Sequence, residues 1–330
     1  MKFGLHKFSF FKKTIFCAVL FIITIVYSTA LCQTKNYKYE IGFKSDNDAY
    51  LATTQDRYYT NGLFIYLRTA LKTPKDTARL LKKILSFSIG QKMYNAHSGQ
   101  TSNIEKVDRP FAAYLYGSTA LQLHYRNEKF LKAELQLGTI GPSALGKEGQ
   151  ELIHNTVGFY RIDGWQYQVN DEFGINLNLD YQRLLYRTKN QRSDFSLPLQ
   201  LRIGNTFSGI NTAILFRTGK LNPFYHSSAT ESNVSQSAES GLINDKEFYF
   251  FLKPSLDIVF YDASIQGGLF RSDKGPVTYE PIPLVFCQEL GAAYTKNRWS
   301  FNFSLLFKSR EVKSEASAHQ YGSAGILYRF

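Results

Sequence analysis

The sequence is poor in cysteine and in long apolar runs, and each shortage excludes a class of protein. Its 330 residues include three cysteines, too few for a disulfide scaffold or a cysteine-ligated zinc domain. Apart from one stretch near the start, no long apolar run is present, and the mean hydropathy is −0.26. A bundle of membrane helices needs repeated apolar stretches of about 20 residues. Charged residues make up 20% and aromatic residues 15%, which also excludes disorder, a coiled coil and a collagen-like fibre.

The first 32 residues have the pattern of a secretory signal peptide. Its basic front contains Lys2, Lys7, Lys12 and Lys13. The apolar stretch 14–27 follows, and we expect cleavage after Ala30 or Cys32. The alternative, an uncleaved anchor, is disfavoured because the stretch is short for a membrane span. Removing the signal takes away four lysines and no acid, so the net charge falls from +12 to +8, and Cys287 becomes the single thiol of the mature domain, 33–330.

The positive charge of the mature domain bears on its partners. No basic tract interleaved with stacking aromatic residues occurs in the sequence, so we do not expect nucleic acid to be a partner. Phosphate-bearing lipids at a membrane surface are better suited to an exported basic protein.

The mature chain alternates between apolar and polar residues with a period of two. In 173–180, Phe, Ile, Leu and Leu occupy the odd positions, and Gly, Asn, Asn and Asp occupy the even ones. The segments 37–44, 131–139 and 300–307 show the same alternation. Successive side chains of a strand point to opposite faces, so each segment is a strand with one apolar and one polar face.

Three features favour a membrane barrel over a soluble sandwich. The strands are about ten residues or longer, as a tilted transmembrane strand requires. Their apolar faces are rich in Phe, Leu, Ile and Tyr, and the chain ends on a strand with Ile326, Tyr328 and Phe330 on one side. That ending resembles the C-terminal signal of outer-membrane proteins. We therefore predict an all-β fold, a transmembrane antiparallel β-barrel of about 12 strands, in the outer membrane of a Gram-negative bacterium.

The alternation and the turn residues place the strands. The predicted strands are 37–45, 58–70, 86–94, 113–125, 130–139, 172–186, 194–205, 209–218, 247–261, 283–296, 299–310 and 319–330. Short connections at 125–129, 187–193 and 295–298 then lie on the periplasmic side. The longer segments 46–57, 95–112, 140–171, 262–282 and 311–318 lie outside.

The connection 219–246 does not fit this scheme. It is long and Ser-rich from Ser227 onward, yet strand parity places it among the short turns. Either it is a loose periplasmic loop, or the strand count near 205–218 is wrong.

Polar residues gather in three places on the predicted outer rim. Asp46-Asn47-Asp48 follows the first strand and faces the start of the second, the run Asp108–Ala112 precedes the fourth, and Gly141–Gly146 leads into 147–157. If 147–157 is a short helix in an extracellular loop, Gln150 and His154 share a face, and Gly158 is a plausible stop. Taken singly, such residues are ordinary in turns.

Taken together and in this order, the residues resemble the outer-membrane lipid A 3′-O-deacylase family (LpxR). The resemblance is carried by Asn47-Asp48, Tyr59-Thr60-Asn61-Gly62, Asp108-Arg109-Pro110, Gly141–Gly146, Gln150 with His154, Gly164-Trp165, and Gln168 with Glu172. It covers about 39–186 and implies a twelve-stranded barrel that removes the 3′ acyloxyacyl chain of lipid A with calcium. It also implies a site between the barrel wall and a helix of an extracellular loop. The sequence departs from the family pattern at Phe111, Ala113 and Tyr114, which concerns the fit of the substrate.

Ester hydrolysis needs a base for water and charge stabilisation at the carbonyl. The imidazole of His154 suits the base, because the ordinary pKa of histidine lies near 6.5. Asn47 and Asp48 offer hard oxygens for Ca²⁺. The resemblance implies that Thr60 and Gln150 line the same pocket.

The remaining candidates concern the lipid headgroup and the metal. The resemblance implies that Arg109 pairs with a lipid phosphate, with Asp108 and Lys147 as further substrate-binding residues and Glu172 as a further metal ligand. No Gly-x-Ser-x-Gly motif is present, so direct attack by water is preferred to a serine acyl-enzyme. Ser143 is the one serine considered as a nucleophile.

Several alternatives stay open at this point. An outer-membrane phospholipase, a non-catalytic pore or adhesion barrel, and an inactive family member all fit the barrel pattern. The acyl chain removed and the identity of the divalent ion are also open. We expect a monomer with lipid A or lipopolysaccharide as its partner.

Overall fold

The computed structural model describes residues 37–51, 56–73, 79–101, 103–158, 162–236 and 245–330. The predicted signal peptide, residues 1–32, lies outside this part of the chain. Its assignment therefore stays a prediction.

The described residues form one antiparallel sheet that closes on itself. Its strand segments are β1 (Tyr39–Asn47), β2 (Tyr58–Leu71), β3 (Leu80–Asn95), β4 (Ala112–Tyr125), β5 (Lys129–Ile140), β6 (Glu172–Arg187), β7 (Ser193–Gly204), β8 (Phe207–Ala213), β9 (Leu215–Lys220), β10 (Lys246–Asp262), β11 (Leu284–Lys296), β12 (Trp299–Lys308) and β13 (His319–Arg329). Consecutive strands pair, and β13 pairs with β1 to close the barrel. The segments β8 and β9 both pair with β7 and β10, so they form one strand interrupted at Ile214. The barrel therefore has twelve strands, as predicted.

Two α-helices and several short 3₁₀ turns lie in the connections of the described chain. Helix α1 (Gly146–Val157) is the predicted helix of an outer loop, and α2 (Ala263–Gln266) is a single turn. Helix α1 ends at Gly158, which takes the left-handed conformation and donates its N–H to the carbonyl of His154. None of the helices in the described residues is long and apolar enough to span a membrane.

The side-chain alternation runs in the predicted direction. On β6, Phe173 is 61% exposed and Ile175 is 52% exposed on the outer face, whereas Asn176 is 1% exposed and points into the lumen. The outer faces of β1 and β12 expose Ile41, Phe43, Phe301 and Phe303 in the same way. A surface this apolar suits hydrocarbon rather than water, so the barrel has its oily face outside.

The described part of the connection between β9 and β10 lies in the periplasmic end of the lumen. This part, 221–236, forms 3₁₀ turns at Phe224–His226 and Ser228–Thr230. Glu231 pairs with Arg68 of β2 at 2.8 Å, and Lys82 of β3 donates to the carbonyl of Ser232 at 2.7 Å. We name this segment, residues 221–236, the plug.

Charges of the barrel wall hold the plug in place. Arg217 donates to Asp194 and to the Ser227 hydroxyl. Glu247 accepts hydrogen bonds from the hydroxyls of Ser227 and Ser228. Although burial opposes ionisation, Arg68 and Lys132 hold the pKa of Glu231 at about 2. Glu231 thus stays ionised at physiological pH, and its ion pair with Arg68 of the wall is retained.

The plug corrects one expectation and supports another. The expectation of a loose loop in the connection 219–246 was wrong for the described part. Its Glu231 carboxylate pairs with Arg68, and its Ser227 and Ser228 hydroxyls form hydrogen bonds with Arg217 and Glu247 of the wall. The strand count near 205–218 was right, since Leu215–Lys220 continues the strand begun at Phe207–Ala213.

We expect the folded protein to conduct no steady ion current in planar lipid bilayers, because the plug occupies the lumen. Replacing 224–235 by a flexible Gly-Ser linker should produce conductance. Heat-modifiable migration in SDS gels should show that both proteins are folded barrels. Open-pore currents from the unaltered protein would contradict the assignment of the plug.

Candidate active site at the outer rim

The site begins where β1 and β2 leave the lipid-facing zone. Asn47 and Asn61 are register partners, and both continue the outward-facing rows that contain Phe43 and Ile65. The Asn47 amide donates to the Asn61 side-chain oxygen at 2.5 Å. Asp46 and Asn47 were predicted to follow the first strand. They instead form its last two residues, because the ladder with β2 and β13 extends that far.

A β-bulge at Thr60 shapes this end of β2. Tyr59 pairs with Tyr94 of β3 and Asn61 pairs with Met93, so Thr60 is the extra residue. Tyr59 then reaches the lumen-facing Asp46, to which its hydroxyl donates at 2.8 Å. Thr60 turns instead toward Asp56. Bulges re-aim side chains at barrel rims, and this one supplies two successive residues to the outer side.

Helix α1 covers this part of the outer wall. Gly146, Gln150 and His154 lie on its buried face, at the i, i+4 spacing of one helical face. A Cβ at Gly146 would meet the Ala113 Cβ at 2.4 Å, and one at Gly149 would meet the Met93 methyl at 2.7 Å. The helix can approach β3 and β4 this closely because both positions are glycine.

His154 lies at one end of a connected set of polar side chains. Its Nε2 lies 3.2 Å from Oδ2 of Asp56. The other carboxylate oxygen of Asp56 accepts from the Thr60 hydroxyl at 3.0 Å, and Thr60 accepts from the Asn61 amide at 3.3 Å. The structure thus joins Asn47, Thr60 and His154, three of the predicted catalytic residues, through Asn61 and Asp56.

Asp56 is a candidate site residue that the sequence did not reveal. It lies at the far end of the same loop as Asp48, after the undescribed residues 52–55. A lone acid in a loop carries no motif. The signal that could have found it is its position four residues before Thr60, which was itself selected.

Asp48 lies in a buried and negatively charged environment. Its side chain is 3% exposed, and it accepts the backbone N–H of Arg57 at 3.1 Å. Burial, followed by the nearby charge of Asp56, raises the pKa of Asp48 to about 7. Because the charge of Asp56 acts on the buried Asp48, the pair of carboxylates favours a positive charge between them.

The donor atoms in this region fit a hard cation. Carboxylate oxygens of Asp48 and Asp56 and amide oxygens of Asn47 and Asn61 are the ligand types that Ca²⁺ takes in proteins. No cluster of three or more His, Cys, Asp or Glu residues suited to a metal occurs among the described residues. A cation here would therefore take amide, hydroxyl or water oxygens as well.

Gln150 lies one turn before His154 on the buried face of α1. Its Oε1 accepts from the indole N–H of Trp165 at 3.0 Å. Trp165 in turn packs edge-to-face against Phe111 with ring centroids 5.6 Å apart. The carboxamide is thus held between the helix and the loop that follows it.

Arg109 makes its contacts inside the protein. It is 1% exposed, it donates to the Ser264 hydroxyl at 2.9 Å, and it stacks 4.3 Å from the centre of the Tyr94 ring. In this arrangement its guanidinium fastens α2 over the barrel mouth. Contact with a lipid phosphate would require these bonds to open.

The other predicted site residues make their contacts with residues outside the set that His154 forms with Asp56, Thr60, Asn61 and Asn47. Asp108 accepts from the Tyr58 hydroxyl and the His97 N–H, and Lys147 is exposed on α1. Glu172 accepts from the N–H groups of Leu269 and Phe270 and from Asn205. Those bonds use both oxygens of Glu172 to anchor the β10–β11 connection. Ser143 donates to Asp171.

The residues that depart from the family pattern are internal. Phe111, Ala113 and Tyr114 are each 0% exposed, and Tyr114 accepts from the Asn176 amide in the lumen at 2.8 Å. Phe111 also fills the space beside Gly164, where a Cβ would approach its ring to 2.3 Å. The departure therefore alters packing behind the site.

The raised pKa of Asp48 predicts how stability depends on pH in the calcium-free protein. Because the folded state holds a proton up to about pH 7 and the ordinary carboxyl releases it near pH 3.9, stability falls as pH rises across that interval. Asp48→Asn removes this ionisation, so its stability relative to wild type should increase between pH 5 and pH 8. Thermal unfolding in detergent with chelator measures the difference.

The exposed Asp273 provides the control for this measurement. Asp273→Asn should change the unfolding midpoint by the same amount at both pH values. An equally constant effect of Asp48→Asn would contradict the buried-carboxyl assignment.

Comparisons with known proteins bear on the whole chain. The sequence model of the family described as "Outer membrane protein LpxR" matches residues 15–330. The chain is similar in structure to LpxR from Salmonella typhimurium, with a TM-score of 0.70 and 20% identity, covering 88% of this chain and 100% of that one. The translocator domain of autotransporter NalP from Neisseria meningitidis matches with a TM-score of 0.45 and 10% identity, covering 90% of each chain. No curated protein matches the sequence.

Proposed function

Because the chain belongs to the LpxR family of outer-membrane proteins, we propose that it is a lipid A deacylase that hydrolyses the 3′-linked acyloxyacyl ester. The observation that carries the proposal is the His154–Asp56 pair at 3.2 Å, held against the outer wall of the barrel. That wall faces lipid, and the imidazole, 3% exposed, lies between it and α1. A lipid ester would therefore reach the imidazole by entering between the helix and the wall. A soluble substrate would not reach a polar site on this face, because the face is turned toward lipid.

The chemistry assigned to His154 is general-base activation of water. The imidazole takes a proton from water as the water oxygen attacks the ester carbonyl carbon. Asp56 orients the ring and stabilises the imidazolium that results, as a carboxylate beside a catalytic histidine does. When the C–O bond breaks, the same proton passes to the sugar 3-oxygen, which leaves as an alcohol.

Thr60, Asn61 and Asn47 hold the His154–Asp56 pair in place through a chain of hydrogen bonds. Thr60 donates to Asp56 from the bulge of β2, so the carboxylate is fixed by the barrel wall while the imidazole comes from α1. The base is therefore assembled only when the helix lies on the wall. Such a second layer of hydrogen bonds limits rotation of the reacting groups.

Calcium fits the proposal through the chain's own oxygen atoms. Asn47 and Asp48 would hold the ion, whose positive charge would favour the ionised form of the buried Asp48 beside Asp56. A bound Ca²⁺ would supply positive charge for the developing oxyanion. Glu172 is not needed for this arrangement, since its oxygens anchor Leu269 and Phe270.

The acyl chains of the substrate would lie along the outer wall beside the site. Tyr50 is 44% exposed there, and it packs on Gly322 of β13, where an added Cβ would lie 2.6 Å from the Tyr50 Cβ. Leu152 is 69% exposed on α1. These apolar side chains flank the polar set and border the lipid-facing belt of β1, β2 and β13.

His154→Ala and Asp56→Asn test the proposed base. In a heterologous outer membrane, His154→Ala should abolish the loss of the 3′ acyloxyacyl chain from lipid A. Asp56→Asn should slow that loss on the order of a hundredfold or more, because the imidazole loses its orienting carboxylate. Mass spectrometry of lipid A measures both.

His97→Ala is the matched control, since His97 is exposed on a neighbouring loop. It should leave deacylation unchanged. Unaltered lipid A processing by His154→Ala would contradict the assignment.

Chelation tests the proposed cation, and the products test the substrate class. Activity in purified outer membranes should disappear with a calcium chelator and return with Ca²⁺ but not with Mg²⁺, which demands a tighter octahedral shell. The released product should be an acyloxyacyl acid. Simple fatty acids from glycerophospholipids would instead identify a phospholipase.

A further inference from the structure

One buried polar atom beside the site lacks a hydrogen-bond partner. The side chain of Gln150 is 0% exposed, and its Oε1 accepts from Trp165. Its Nε2 has no partner. Buried donors are nearly always satisfied in native proteins, so an amide N–H₂ left open next to a catalytic histidine points to an acceptor supplied by a ligand.

Trp165 decides which end of the carboxamide is left open. An indole N–H can only donate, so it requires the oxygen end of Gln150. Rotating the carboxamide would set two donors against each other. Trp165 therefore dictates, by its chemistry, that the N–H₂ group faces away from the indole.

The surroundings fix Trp165 itself. It is 3% exposed, its ring packs on Phe111, and it fills the space where Gly146 has no Cβ, within 2.5 Å of an added atom. The ring has little freedom to rotate the N–H elsewhere. The orientation of Gln150 is thus set before any substrate arrives.

We propose that Trp165 is a positioning residue that holds the Gln150 N–H₂ group ready to donate to the carbonyl oxygen of the substrate ester. The inference rests on the proposed hydrolytic function. Gln150 lies one helical turn from His154 on the same buried face of α1, so donor and base approach one ester from one side. The bond strengthens as negative charge develops on that oxygen, which makes Gln150 a transition-state donor.

The kinetic test is a double-mutant cycle. Gln150→Met should lower kcat on the order of a hundredfold with little change in KM, as loss of an oxyanion donor does. Trp165→Phe keeps an aromatic side chain but removes the indole N–H, so kcat should fall on the order of tenfold because the carboxamide can then rotate. The double variant should be no slower than Gln150→Met alone. Losses that multiply would overturn the positioning role.

The two tryptophans of the chain allow a spectroscopic test that needs no substrate. Trp299, the other tryptophan, stacks on Phe301 in β12, and Trp299→Phe should leave activity unchanged. In that background Trp165 is the sole indole fluorophore. Gln150→Met should shift its emission to shorter wavelength, whereas Gln150→Glu, which keeps acceptor oxygens but lacks the N–H₂ group, should leave the emission unshifted and kcat low.

The two tests separate the possible failures. Unshifted emission with Gln150→Met would overturn the contact while leaving the proposed function intact. Full activity of Gln150→Glu would overturn the donor role. Absence of lipid A hydrolysis by the unaltered protein would overturn the proposed function and with it the substrate contact, whatever the emission shows.

Discussion

The structure depends on one constraint, which is that its outer surface faces hydrocarbon. Closure of the barrel satisfies every strand's backbone without water, and the outward rows of Phe, Leu and Ile meet the lipid. A polar cluster on this face cannot be left open to acyl chains, because unpaired buried polar groups are costly. The chain resolves the conflict by placing the cluster at the upper end of β1 and β2 and covering it with α1.

The covering helix also accounts for the composition of the site. Its glycines at 146 and 149 allow close approach to β3 and β4, and its buried polar face holds Gln150 and His154 against the wall. The wall contributes Thr60 from a bulge and Asn61 from the next position. Neither half of the candidate site is complete without the other, so the proposed chemistry requires α1 to lie against the wall.

Much of the fold could be predicted from sequence because alternation is a local signal. The period of two in 173–180 correctly gave both the strand and its lipid-facing side, and the spacing of Gln150 and His154 correctly gave one helix face. The plug could not be predicted, because its contacts depend on the closed barrel. Glu231 pairs with Arg68, which is distant in sequence, and Ser227 meets Arg217 and Glu247 on the two strands that flank the plug. Asp56 was missed because its partner His154 lies on a helix that is distant in sequence. The internal contacts of Arg109 and Glu172 likewise depend on the distant loop 263–270.

We propose that the site meets its substrate through the outer wall and not through the lumen. A photo-crosslinking benzoylphenylalanine placed at Leu152, exposed on α1, tests this claim in living cells, with the same group at the lumen-facing Ser118 of β4 as the comparison. We predict that the group at 152 captures lipopolysaccharide and that the group at 118 does not. Capture of lipopolysaccharide at 118 without capture at 152 would contradict the account.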